Sequence, residues 1–132
     1  ILFVAENAAP PQHNVLTPRG AQGRDAKAWA AYLSETIRLY AGRSDVMFTS
    51  HGWPRFGREP LTELLTGERD AYKYLHDQTV RLMNQGYTGP EIANRLQLPP
   101  ALAKQWFNRG YYGTTSFNSR AVSASENAPI AA

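Results

Sequence analysis

Two short apolar runs, each followed by a side chain that can bind a metal, constrain the fold of this chain most. Residues 2–5 and 45–50 contain large and β-branched apolar side chains of the kind found in buried strands, and Glu6 and His51 follow them directly. Because the carboxyl ends of parallel strands meet at one edge of a sheet, we expect Glu6 and His51 to form half of a metal site. Taken singly, Glu6 also fits an exposed carboxylate, and His51 fits a hydrogen-bonded structural histidine.

The segment between these runs predicts a helix. Apolar residues recur at spacings of three and four from about Arg24 to Tyr40, and Gly42 is a suitable terminator. Strand, helix and strand make a βαβ unit, in which the two strands should be parallel. A two-stranded parallel sheet is not stable by itself, so partner strands must come from elsewhere.

Beyond about Glu59 the pattern is helical only. A long amphipathic helix extends to Gly86, and Gly67 is expected to weaken or break it. The capping-box sequence at 88–91 begins a short helix, and the prolines at 99–100 begin a third helix that continues through Phe107.

Composition limits the remaining choices. The chain has 132 residues, no cysteine and a net charge of +3, which is too small for a surface that coats nucleic acid. No apolar run approaches the ~20 residues of a membrane span, and the absence of an initial Met suggests a piece of a longer protein. The parts that we expect are an α+β part at 1–59, an all-helical part at 60–122 and a disordered tail at 123–132.

Three further groups of residues have alternative interpretations. Asn14 and Arg19 could hold a sulfate or phosphate, or belong to a solvated loop. His76 and Asp77 are adjacent on a helix and should not face each other, so we expect His76 to have a structural role in helix packing. Residues 88–106 imitate a DNA-binding helix-turn-helix, but the second helix has a single cation, Lys104, and a helical hairpin is favoured.

Motifs along most of the chain resemble the alkylsulfatases of the metallo-β-lactamase superfamily, which are zinc enzymes. The matching stretches are Phe3-Val4-Ala5-Glu6-Asn7-Ala8, His13-Asn14, Arg19-Gly20-Ala21-Gln22, Arg24-Asp25-Ala26, Ser50-His51 with Trp53-Pro54, Arg69-Asp70-Ala71-Tyr72, His76-Asp77-Gln78-Thr79, Asn84-Gln85-Gly86 and Arg109-Gly110-Tyr111-Tyr112-Gly113-Thr114.

The resemblance implies a fold and a site. Residues 1–59 would be the carboxyl-side part of a metallo-β-lactamase-like αββα sandwich, and 60–122 its helical dimerisation region. Glu6 and His51 would bind zinc, of which the complete enzyme holds two ions, and Asn14 and Arg19 would hold the sulfate group. No residue of the chain is expected to be catalytic by itself.

The function implied is part of an alkyl sulfate ester hydrolase that is inactive alone, because the His-x-His-x-Asp-His zinc motif has no counterpart here. Its partners would be an alkyl sulfate and either a second copy or the missing catalytic portion, with no nucleic acid and no membrane span. The family also suggests a soluble periplasmic or secreted location. Pro10, Gly52 and Phe117 stand where histidines are expected. The alternative is a non-enzymatic helical interaction module.

Overall fold

The chain is mixed α and β, mostly helical, with one small sheet. A computed structural model describes residues 1–17, 19 and 22–127. Its elements are β1 (Leu2–Phe3), α1 (Ala26–Tyr40), a 3₁₀ turn (Ala41–Arg43), β2 (Val46–Phe48), β3 (Arg55–Phe56), α2 (Arg58–Asn84), α3 (Gly89–Arg95), α4 (Pro100–Ala103), a second 3₁₀ turn (Trp106–Asn108) and α5 (Thr115–Glu126).

The three strands of the sheet lie in the order β1-β2-β3. β1 and β2 are parallel, with Phe3 opposite Phe48, and α1 connects them, so the predicted βαβ unit is present. β3 was not predicted, since a two-residue strand in an aromatic, turn-rich connection has no periodicity to detect. It pairs antiparallel with β2, whose Met47 is fully buried on the inner face.

α1 begins two residues later than predicted. The Asp25 carboxylate accepts a hydrogen bond from the Ala28 N–H at 2.9 Å and caps the helix, which leaves Arg24 in the preceding loop. Trp29 and Leu33 are buried on its inner face. Gly42 does not terminate α1 directly, because the chain continues as a 3₁₀ turn through Arg43.

α2 runs unbroken for 27 residues, so the expectation that Gly67 interrupts it was wrong. Gly67 is buried, and a Cβ built there would lie 2.6 Å from the Phe107 ring and from Gln105 Oε1. The glycine therefore makes room for a packed side chain. Gly86, with φ of +88°, follows the end of the helix as predicted.

α1 packs against α2 across the predicted boundary near Glu59, and both contribute to one hydrophobic core. The division at that boundary stays a prediction. In the part of the chain that the structure describes, no helix is both long and apolar enough to cross a membrane.

The carboxyl-terminal region corrects two expectations. The capping box at Thr88 and Glu91 is present, but the third helix is only the single turn of α4, followed by extended backbone at Gln105 and a 3₁₀ turn that inserts Phe107. The second helix that a DNA-binding helix-turn-helix requires is therefore not formed.

α5 continues through Glu126, so the predicted disordered tail begins too early. Thr114 Oγ1 caps α5 by accepting the Phe117 N–H at 3.0 Å, and a face that includes Val122 and Ser123 packs inward. This burial was missed because the face is made largely of small and polar residues. Residues 128–132 of the predicted tail lie outside the described residues.

Candidate functional site

Glu6 and His51 lie together at the ends of β1 and β2. The backbone hydrogen bond from Ser50 N to Ala5 O, 3.0 Å long, continues the pairing of the strands up to these two residues. Glu6 Oε1 lies 3.7 Å from His51 Nε2, and both side chains are more than half exposed. The structure thus brings the two predicted ligands into contact, while metal binding by them stays a prediction.

A second histidine, His13, borders the same region and was not among the predicted site residues. Its ring centroid lies 6.5 Å from that of His51 and 4.9 Å from that of Tyr112. His13 Nδ1 lies 3.0 Å from the Asn14 carbonyl oxygen, so the tautomer with a proton on Nδ1 can donate to it and leave Nε2 unprotonated. His13 lies in the stretch His13-Asn14, which resembles the alkylsulfatases, and this position was the sequence signal that could have identified it.

The two histidines face a cavity of about 310 Å³. Its lining residues are Ala9, Pro10, Pro11, His13, His51 and Tyr112. The wall is mainly apolar, and Glu6 contacts His51 beside it. An apolar cavity with a few polar groups is the usual form of a small-molecule site.

Asn14 contacts Arg24 in the structure. Arg24 Nη1 donates to the Asn14 side-chain oxygen at 3.2 Å, to the Asn14 carbonyl at 3.3 Å and to Thr17 Oγ1 at 3.1 Å. Arg19 is exposed, and its backbone N–H donates to the Thr17 carbonyl at 2.8 Å. Asn14 therefore contacts the guanidinium of Arg24, which sequence reasoning did not select, and the Arg19 side chain does not take part in these hydrogen bonds.

The loop that carries His13 and Asn14 is fixed from the helical region. The Gln12 N–H donates to the Phe107 carbonyl at 2.9 Å, and the Gln12 carbonyl accepts the Gly113 N–H at 2.8 Å. A Cβ at Gly113 would overlap the His13 carbonyl, so only glycine permits this approach. The helical part is thus in direct contact with the candidate site.

Tyr72 of α2 contacts the loop that carries His13 and Asn14. Its ring stacks on Trp29 with a centroid distance of 4.5 Å, and its hydroxyl accepts the His13 backbone N–H at 3.0 Å. Burial raises the pKa of Tyr72, and the nearby Glu68 raises it further. The hydroxyl therefore stays protonated and available as a donor.

Glu68 lies fully buried one turn before Tyr72. Burial raises the pKa of Glu68 to about 8, although the Arg55 charge acts in the opposite direction. Glu68 Oε1 has no hydrogen-bond partner among the described residues. A buried carboxyl of this kind is neutral at pH 7.

His76 corrects a geometric expectation. Its Nδ1 lies 3.0 Å from Asp77 Oδ1, although adjacent residues on a helix were expected to point apart, and its Nε2 lies 3.5 Å from Glu126 of α5. Partial burial acts to raise the pKa of Asp77, but hydrogen bonds from Lys73 and His76 outweigh it, so the pKa of Asp77 is lowered. These contacts join α2 to α5, in keeping with a structural role in helix packing.

The described residues offer an incomplete metal site. Among residues 1–17, 19 and 22–127, no cluster of three or more His, Cys, Asp or Glu side chains could hold a metal ion. Glu6 and His51 would fill two of the four positions around a tetrahedral zinc ion. The chemistry of these donors fits zinc, but their number does not suffice.

Comparisons with known proteins agree on one family. The sequence model described as alkyl sulfatase dimerisation matches residues 88–128. An alkyl/aryl-sulfatase of Saccharomyces cerevisiae is 43% identical over 122 residues, and an (R)-specific secondary-alkylsulfatase of a Pseudomonas species is 45% identical over 123 residues. Each match covers 92% of this chain and 19% of the relative.

A solved structure supports the same relationship. The stereoselective inverting sec-alkylsulfatase of a Pseudomonas species superposes with a TM-score of 0.92 at 43% identity, over 95% of this chain and 20% of that one. The chain spans about one fifth of the length of the relatives that it matches. By sequence and by fold, the chain therefore corresponds to a segment of the alkylsulfatases that includes their dimerisation region.

Proposed function

We propose that this chain is part of an alkyl sulfate ester hydrolase. It contributes Glu6 and His51 as zinc ligands, Asn14 and Arg19 as contacts for the sulfate group, and a helical region for self-association. The observation that carries the proposal is the 3.7 Å approach of Glu6 to His51 at the ends of adjacent parallel strands. Similarity to an alkyl/aryl-sulfatase over 92% of the chain supports the assignment of Glu6 and His51 to a site of this enzyme class.

Zinc bound at such a site supplies a water molecule of lowered pKa for attack on the ester. The residues of this chain would hold the metal and orient the ester: Glu6 offers a carboxylate oxygen, and His51 offers Nε2. Arg24 orients the Asn14 amide, and Arg19 offers a fork of donors for an anionic ester. The remaining ligands must come from a part with further histidines, so the chain alone is inactive.

The finer fold assignment belongs to the same proposal. The outer face of the sheet carries three exposed aromatic side chains, Phe3, Phe48 and Phe56, and the first two stack at 4.8 Å. A cluster of exposed aromatic side chains on one face of a sheet often marks an interaction surface. More of a metallo-β-lactamase-like sandwich packed against this face would account for them.

Zinc titration of the chain tests the metal assignment. We expect weak binding, because two protein ligands leave the tetrahedral site half empty, and we expect His51→Ala to abolish it. His76→Ala is the matched control, since His76 is a histidine outside the site. Tight stoichiometric zinc, or equal zinc affinity in His51→Ala and the parent, would contradict the assignment.

A second candidate is a non-enzymatic interaction module, favoured by the dimerisation match at residues 88–128. Zinc binding, measured beside sedimentation, separates the two. Both candidates predict self-association, but only the hydrolase predicts that Glu6→Gln changes zinc binding while leaving association intact. A chain that associates without measurable zinc affinity would favour the module.

A further inference from the structure

One side chain of α5 holds the backbone of the loop that carries His13 and Asn14. Asn118 Nδ2 donates to the His13 carbonyl at 3.1 Å, and Asn118 Oδ1 accepts the Val15 N–H at 2.9 Å. Asn118 is completely buried, and Val15 is 1% exposed. Water therefore cannot replace either hydrogen bond.

The geometry demands an amide at this position. The two backbone groups, one acceptor and one donor, flank Asn14 and are met by one planar group that donates and accepts at once. Alanine would leave the buried Val15 N–H without a partner and the His13 carbonyl with only the longer 3.4 Å contact from the Tyr72 hydroxyl, and an ionised aspartate would lose the donor. The Asn118 side chain thus pairs with the backbone of residues 13–15 through one donor and one acceptor, as a neighbouring strand would.

We propose that Asn118 is a positioning residue for the candidate site. By fixing the backbone on both sides of Asn14, it sets the direction of the Asn14 amide and of the neighbouring His13 ring. The proposal rests on the proposed function only in its assignment of Asn14 to the sulfate group. Because Asn118 lies within residues 88–128, the region that matches the dimerisation family also shapes the site.

Amide hydrogen exchange tests the contact directly. In the parent chain the Val15 amide should exchange as slowly as the core amides of α2, whereas in Asn118→Ala it should exchange at least about tenfold faster relative to those amides. Ser119→Ala is the matched control, because Ser119 is equally buried but bonds only to Ser116 of its own helix. A rapidly exchanging Val15 amide in the parent chain would overturn the proposal.

If Asn118→Ala fails to fold, Asn118→Asp provides a second test of the same contact. The second oxygen of its carboxyl group still accepts from Val15, so that amide should stay slow, while raising the pH until the buried carboxyl ionises should remove the donor to the His13 carbonyl and move the ¹³C shift of that carbonyl. Unchanged His13 and Asn14 signals would overturn the proposal.

Binding of inorganic sulfate, followed by the Asn14 side-chain amide signals, measures the positional effect. We expect affinity to fall by roughly tenfold in Asn118→Ala and to stay unchanged in Ser119→Ala, as for other residues that orient a ligand-binding group. Equal affinity in Asn118→Ala and the parent would overturn the positioning role. If the parent binds no sulfate, the sulfate assignment of Asn14 fails, and the exchange of the Val15 amide still decides whether Asn118 holds the loop.

Discussion

At the scale of single residues, Glu68 combines a fully buried carboxyl with a raised pKa of about 8. The unfolded chain loses this proton near pH 4.5, while the folded chain retains it up to about pH 8. The unfolded state therefore binds fewer protons in this window, so the free energy of unfolding falls as the pH rises from 4.5 to 8. The loss should total about 5 kcal/mol.

Glu68→Gln should remove most of this pH dependence, because the amide cannot ionise. The variant should match the parent near pH 4.5 and unfold at higher urea concentration at pH 8. Glu63→Gln, an exposed position on the same helix, serves as the control. An equal slope in parent and Glu68→Gln would mean that Glu68 is ionised in the folded chain.

Contacts between single residues could be predicted where regular secondary structure fixes their positions, and not where loops or buried polar side chains make them. Glu6 and His51 could be paired because both follow strands whose register is implied by a βαβ unit. The contact of Asn14 with Arg24 could not, because loops have no periodicity that specifies direction. The contact of Asn118 with His13 spans 105 residues and involves a buried polar side chain, which sequence patterns assign to the surface.

At the scale of secondary structure elements, the packing of α2 against the turn at Phe107 explains why α2 has a glycine at position 67. Gly67→Ala gains about 1 kcal/mol of helix propensity. The added Cβ overlaps the Phe107 ring and Gln105 Oε1 at 2.6 Å, and the ring is buried and cannot move freely. Overpacking of this kind costs about 1 to 3 kcal/mol, so we expect net destabilisation in urea unfolding.

Gly42→Ala provides the matched control, since nothing lies within 4 Å of its Cβ position. It should be neutral or slightly stabilising. A stabilised Gly67→Ala would show that Phe107 does not pack there. Sequence reasoning detected this glycine as a helix breaker because propensity is local, while the partner that requires it lies 40 residues away.

At the scale of the whole molecule, the chain presents two candidate surfaces for association. One is the aromatic face of the sheet, formed by Phe3, Phe48 and Phe56, and the other lies in the region that matches the dimerisation family. Most of the fold could be predicted because α1 and α2 have strong periodicity. The assignment of these surfaces could not, because the exposure of a side chain depends on three-dimensional packing that sequence patterns do not specify.

Sedimentation of surface variants separates the two surfaces. We expect the parent chain to self-associate reversibly through the helical region and to form larger species through the sheet face at high concentration. Phe3→Ser combined with Phe56→Ser, which are 57% and 70% exposed, should remove the larger species and leave the dimer. Tyr32→Ser with Tyr40→Ser, at comparably exposed aromatics of α1, should change neither. If the double phenylalanine variant sediments as a monomer, the sheet face forms the dimer, and the helical region does not hold the isolated chains together.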